Sequence, residues 1–183
     1  MNRLSTIFIF VLFYLLPACQ ADPEADLLKA ALANDLPGIQ AALGKGADVN
    51  VKQSGTGQTP LMGAVLNGHS HIVQFLLTLK DVDVTIPEKD GYTPAHGAGF
   101  QGRADIMRFL MNAGVNVKDD MHTDGFAPLH RACWGGHKRH TDTIRFLRDE
   151  AGVDVRTLPS KEGNTCEEMT QNTATLALLS ELV

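Results

Sequence analysis

The sequence predicts an all-α solenoid of about five helix-turn-helix units with hairpin-like fingers. Two observations carry this prediction: a repeat of 34 residues and a composition typical of folded globular chains. Of the 183 residues, 44% are hydrophobic and 20% are charged, which excludes a disordered or fibrous protein. The formal net charge of -5 disfavours binding to nucleic acid or to anionic lipid.

The first 21 residues have the pattern of a signal peptide. Arg3 precedes an apolar run from Ile7 to Leu16, which a proline and small residues at Cys19 and Ala21 follow. This apolar run has ten residues, whereas about 20 are needed to cross a bilayer, so it is too short for a membrane anchor. We therefore expect cleavage after Ala21 and export through the secretory pathway, to a secreted, lumenal or periplasmic location. The alternative is a lipoprotein, since residues 16–19 resemble a bacterial lipoprotein cleavage box; Cys19 would then anchor the chain to a membrane.

The rest of the chain, residues 22–183, carries three repeated blocks. The first block begins at positions 59, 93 and 127 and reads TPLMGAVLNGH, TPAHGAGFQGR and APLHRACWGGH. The second block follows at 72, 106 and 143 and reads IVQFLL, IMRFLM and TIRFLR. The third recurs at 47, 82, 115 and 153 as ADVN, VDVT, VNVK and VDVR. Three blocks in one register predict a single repeat domain.

Each block predicts one structural element. Threonine followed by proline is typical of a helix start, and the glycines at Gly68, Gly102 and Gly136 predict where these first helices end. The second block has the apolar spacing of a second helix. The third block predicts an extended arm that leads through a turn to the next unit. Additional residues between Gly136 and Phe146 predict a longer turn between the two helices of the fourth unit.

These blocks resemble the Thr-Pro-Leu-His, Gly-His and Ala-Asp-Val-Asn motifs of the ankyrin-repeat family. The resemblance implies five units at about 24–54, 55–88, 89–122, 123–160 and 161–183, with atypical units at both ends because each of those exposes one face. It also implies a non-enzymatic protein that binds an unknown partner protein through a concave groove. We expect a monomer without cofactor, and no membrane contact beyond the lipid anchor of the alternative.

Seven histidines raise the question of metal binding or catalysis. The resemblance implies that His96 and His130 are structural, since the motif histidine of the family connects neighbouring repeats. The pairs His69–His71 and His137–His140 have a spacing that could supply two metal ligands. No cysteine or acidic residue is placed by sequence to complete either site, and we expect solvated turns. Without a nucleophile or phosphate-binding motif, an enzyme or metal protein remains only a rival hypothesis.

Cys133 and Cys166 are predicted to be buried free thiols. Cys133 is seventh in its block and Cys166 second in the next, an offset of five residues or about 7.5 Å along a helix axis. Neighbouring helices add about 8–10 Å, whereas a disulfide needs Cα atoms within about 7 Å.

Large apolar residues occupy two kinds of repeated position. One slot of the second helix holds a phenylalanine in three units and is predicted to be core: Phe75, Phe109 and Phe146. Two other positions, the eighth of each first block and the residue before the block, point to the groove in the family. The resemblance therefore implies an apolar partner-binding patch, the groove patch, made of Leu66, Tyr92, Phe100, Phe126 and Trp134.

Overall fold

The computed structural model describes residues 22–181; the predicted signal peptide and the Cys19 anchor lie outside this range. The described residues form ten helices and no strand, arranged as five consecutive pairs. The pairs are α1 Pro23–Leu32 with α2 Leu36–Gly44, α3 Pro60–Asn67 with α4 Ser70–Leu76, α5 Pro94–Gln101 with α6 Ala104–Asn112, α7 Pro128–Cys133 with α8 Lys138–Asp149, and α9 Cys166–Met169 with α10 Thr173–Ser180. The predicted all-α class is confirmed.

The first helix of a pair starts and stops as the repeated block predicts. Pro60 is the first residue of α3, and the amide of Met62 donates to the Thr59 hydroxyl at 3.2 Å. The helix ends before Gly68, whose φ of 69° is left-handed and favours glycine. Gly102 ends α5 in the same way, with φ 65°.

The fourth pair departs from the prediction at two points. α7 ends at Cys133 rather than at Gly136. The turn before α8 has four residues, compared with two in the second and third pairs, so the predicted longer turn is confirmed. The additional residues also extend α8, which starts at Lys138 and has 12 residues. An ion pair of Lys138 Nζ with Asp142 at 2.7 Å links successive turns of this helix and supports its first part.

The segments between pairs form stacked, hairpin-like fingers. In the third finger the amide of His122 donates to the carbonyl of Phe126 at 3.1 Å, and the amide of Gly125 donates back to His122 at 2.8 Å. The amide of Lys161, in the fourth finger, donates to the Gly125 carbonyl at 2.9 Å. The first two bonds close the third finger, and the last joins it to the fourth finger.

The first helices of successive pairs are staggered rather than packed in register. A Cβ atom on Gly99 would lie 2.3 Å from the carbonyl oxygen of Pro128, so only glycine permits this close approach of α5 and α7. Gly99 is seventh in its block and Pro128 is second in the next. The seventh position of one first helix therefore faces the second position of its neighbour.

This stagger corrects the prediction for the cysteines. Cys133 and Cys166 occupy the same seventh and second positions and form a disulfide, with Cα atoms 5.5 Å apart. Both residues are buried, as predicted, but they are not free thiols. The free-thiol prediction is wrong because it assumes helices in register, and the stagger removes the axial offset that such helices would add to the distance between their axes.

One continuous apolar core runs between the helix layers from α1 to α10. Phe146 belongs to it, and the guanidinium of Arg108 covers its ring at 5.0 Å. Phe75 and Phe109 are only half-buried and pack against the edge of the core, so the core prediction for this slot is right for one unit of three. None of the helices between residues 22 and 181 is long and apolar enough to cross a membrane.

Candidate functional site: the groove patch

The structure brings the five residues of the groove patch together in two linked groups. Leu66, Tyr92 and Phe100 line one cavity. Tyr92 also belongs to a second group with Phe126 and Trp134, whose ring centroids are 4.7 Å apart. Because Tyr92 is common to both groups, the patch is continuous across the second, third and fourth helix pairs.

The patch faces solvent mainly through two of its side chains. Phe100, near the end of α5, is 58% exposed, and Trp134, directly after α7, is 44% exposed. Leu66, Tyr92 and Phe126 are half-buried. Large apolar side chains this exposed on neighbouring rigid helices are typical of interaction surfaces.

Arg131 is the centre of the second group, although it is only 8% exposed. Its guanidinium carbon lies 4.6 Å from the ring centroid of Tyr92, 5.4 Å from that of Phe126 and 4.9 Å from that of Trp134. It forms an ion pair with Asp124, and its Nε has no hydrogen-bond partner. A guanidinium stacked on aromatic rings holds them in place through cation–π attraction.

Asp124 neutralises the charge of Arg131. Its carboxylate also accepts a hydrogen bond of 2.9 Å from the Tyr92 hydroxyl, and His122 Nδ1 lies 2.8 Å from its other oxygen. Burial acts to raise the pKa of Asp124, but the hydrogen bonds from His122, Arg131 and Tyr92 outweigh it and hold this pKa well below its usual range. Burial, followed by the bond to Asp124, raises the pKa of Tyr92. At neutral pH, Asp124 and Arg131 therefore form an ion pair whose charges compensate each other and which aromatic rings surround.

The cavity of the first group has a volume of about 290 Å³ and opens into the groove. Met62, Leu66 and Phe100 supply apolar walls, and Gly97 leaves room between them, because a Cβ atom there would lie 3.2 Å from Leu66 Cδ2. Glu88 supplies the acidic part of the cavity wall, and its carboxylate accepts a hydrogen bond of 2.9 Å from Gln58 Nε2. We call this cavity the Leu66 pocket.

Two groove residues are absent from the sequence prediction. Leu32 ends α1, is 38% exposed and precedes Leu66 by 34 residues, so the repeat spacing alone could have identified it. Arg131 stands where the two preceding units have Gly63 and Gly97. An arginine in place of two glycines marks this position as unusual in the sequence. Its contacts with aromatic rings are visible only in the folded structure, because the rings come from three different segments.

Three histidines are buried and have structural roles, as the resemblance implied for the first two: His96, His130 and His140. Their Nδ1 atoms accept backbone amides at 3.4, 3.0 and 3.3 Å. Their Nε2 atoms donate to the carbonyls of Phe126, Leu158 and Phe100 at 3.2, 3.2 and 3.1 Å. Burial is the largest influence on each and lowers the pKa of all three. The neutral rings of His96 and His140 therefore connect neighbouring repeats, and that of His130 connects α7 to the finger that follows it in the same unit.

The histidine pairs do not converge on a metal site in the structure. His69 Nε2 lies 3.0 Å from the carbonyl of Leu32, and His140 is buried as described, so each pair has one member engaged with the backbone. His71 and His137 are exposed. Among residues 22–181, no group of three or more histidine, cysteine or acidic side chains is placed to hold a metal ion.

Comparison with known proteins gives two findings. A family model described as ankyrin repeats, three copies, matches residues 27–121 and 79–159, which together span more than half of the chain. A 70-residue stretch is 39% identical to the ankyrin repeat and SAM domain-containing protein 6 of Rattus norvegicus. The match covers 38% of this chain and 8% of that protein, so the rat protein is far longer than the part that resembles this chain.

Proposed function

Because the chain belongs to the ankyrin-repeat family, we propose that it is a non-enzymatic module that binds a partner protein in its concave groove. The observation that supports this function is the exposure of Phe100 and Trp134 on consecutive rigid helices. The Trp134 ring is held from behind by Phe126 and Arg131, so little of its side-chain freedom is lost on binding. Preorganised aromatic side chains are the residues that most often dominate binding energy at protein interfaces.

The function is tested by using the purified chain to capture partner proteins from an extract of the native host. The double variant Phe100→Ala/Trp134→Ala should lose a captured partner, because truncating central anchors costs about 2 kcal/mol or more, roughly thirtyfold in affinity. The matched control is Gln74→Ala/Leu176→Ala, which shortens exposed side chains on α4 and α10, outside the groove patch. Partner capture that is equal for both double variants would contradict binding through the groove.

We also propose that the protein is exported. Residues 1–21 have the signal-peptide pattern, and the Cys133–Cys166 disulfide is of the kind that persists in oxidising compartments. The intact mass of the native protein tests this. A chain that starts near Asp22 supports cleavage and export, whereas a lipid-modified Cys19 supports the alternative of a membrane-tethered scaffold. A native chain that retains Met1 contradicts both.

A further inference from the structure

The Leu66 pocket contains one charged group that the protein itself does not compensate. Glu88 is half-buried in the pocket wall, and its carboxylate is bonded to the neutral side chain of Gln58. None of the ion pairs formed within residues 22–181 includes Glu88, and the adjacent Lys89 forms none with it. The other charged residue of the pocket, Arg131, is already paired with Asp124 and is almost fully buried.

The apolar part of the pocket complements this carboxylate. Phe100 is 58% exposed, and within the described chain no other ring or cation stacks on it, so one aromatic face is free. Leu66 and Met62 supply an aliphatic wall beside it. A volume of about 290 Å³ lies at the lower end of the range for ligand sites, which suits one long side chain of a peptide segment.

We propose that the Leu66 pocket binds a lysine or arginine side chain of the partner protein. The methylene stem lies against Leu66 and Phe100, and the cationic end pairs with Glu88. Long basic side chains bury their stems on apolar surface while the charge stays at a polar rim, and cations bind aromatic faces. An acidic side chain is excluded, because the pocket would place it beside Glu88 and offers it only an arginine that Asp124 has neutralised. The inference rests on the proposed function and identifies the partner's anchor as basic.

Blocked pentapeptides of sequence Gly-Gly-X-Gly-Gly test the pocket directly, with X as lysine, arginine, norleucine or glutamate. Norleucine keeps the length and apolar stem of lysine without its charge. In NMR titrations of the full chain, the lysine and arginine peptides should shift the amides of Gly97 and Phe100 with dissociation constants on the order of millimolar. They should bind roughly fivefold to tenfold more tightly than norleucine, the range expected for one partly buried charge pair, and glutamate should not bind.

Two variants assign the effect to the pocket. Glu88→Gln keeps the size of the side chain and should abolish the preference for lysine over norleucine, whereas Glu162→Gln, the same change on the exposed fourth finger, should preserve it. Phe100→Ala should weaken the lysine peptide independently of Glu88. The proposal is overturned if norleucine binds as tightly as lysine, or if Glu88→Gln leaves the preference unchanged.

Capture of the native partner distinguishes this inference from the proposed function on which it rests. If Glu88→Gln captures the partner at wild-type strength while Phe100→Ala/Trp134→Ala does not, the basic anchor is wrong and groove binding stands. If neither variant changes capture, groove binding itself fails. Weaker capture by both, with Glu162→Gln unaffected, supports the two together.

Discussion

Reduction of the Cys133–Cys166 disulfide should destabilise the C-terminal end of the solenoid more than any other part. The bond joins α7 to α9, which has only four residues, and so fastens the last helix pair to the array. Its cysteines are 33 residues apart, and a closed loop of that length corresponds to roughly 3–4 kcal/mol in the chain-entropy description. For a chain of this size, that free energy corresponds to a fall in Tm of roughly 6–16 °C.

The assay is thermal unfolding of the oxidised and the reduced chain, followed by circular dichroism. Reduction removes only the S–S bond, and the variant Cys133→Ala/Cys166→Ala serves as the control, because its Tm should not respond to reductant. Amide hydrogen exchange should locate the effect: since each repeat packs only on its neighbours, α9 and α10 should exchange faster after reduction while α1 to α4 change little.

Two results would refute this reasoning. Free thiols at both cysteines in the unreduced native protein would show that the bond does not form. An equal Tm for the oxidised and reduced chain, with unchanged exchange in α9 and α10, would show that the bond does not hold the last pair in place.

Three further predictions are tested by thermal melts. Trp134→Ala should lower the free energy of unfolding by about 1 kcal/mol or less, because the ring is half-exposed. Leu110→Ala should lower it by about 2–5 kcal/mol, because Leu110 is fully buried in α6. Equal losses would contradict the assignment of Trp134 to the surface. Burial lowers the pKa of the three buried histidines, so the unfolded chain takes up more protons than the folded chain below about pH 6.5, and stability should fall as the pH decreases from there. A flat stability profile between pH 7 and 5 would contradict this. Gly99→Ala should be strongly destabilising, because the added Cβ meets the backbone carbonyl of Pro128 at 2.3 Å. Gly97→Ala should cost much less, because its Cβ meets only side-chain atoms, the nearest of them on the movable Leu66 at 3.2 Å. The reverse order would contradict the stagger of α5 and α7.

The sequence predicts those parts of the fold that are set by local chemistry. A threonine followed by proline starts a helix wherever it occurs in the repeat, and the glycines at 68 and 102 end one, because these preferences depend on a few neighbouring residues. The 34-residue spacing carries the rest of the architecture. It also places the groove patch, and it would have added Leu32 had it been applied to the first unit.

The features that sequence reasoning misses depend on how helices pack against one another. The disulfide follows from a stagger between α7 and α9 that no repeat block encodes. The extension of α8 was missed because residues 137–142 have no helix-breaking residue to separate a turn from a helix. The stacking of Arg131 depends on rings from three segments, and Glu88 stands out because no ion pair formed within residues 22–181 includes its carboxylate. Such contacts between distant segments are set by the packing of the folded chain.

Site-specific photo-crosslinking tests the central claim, that a partner protein occupies the concave groove, most directly. A photoreactive amino acid replaces Phe100 in one sample and the exposed Gln74, on the outer helix α4, in another. Irradiation in the native host should yield a covalent adduct with one partner protein from position 100 and none from position 74. An adduct from position 74 alone would place the partner on the outer helices and contradict the account.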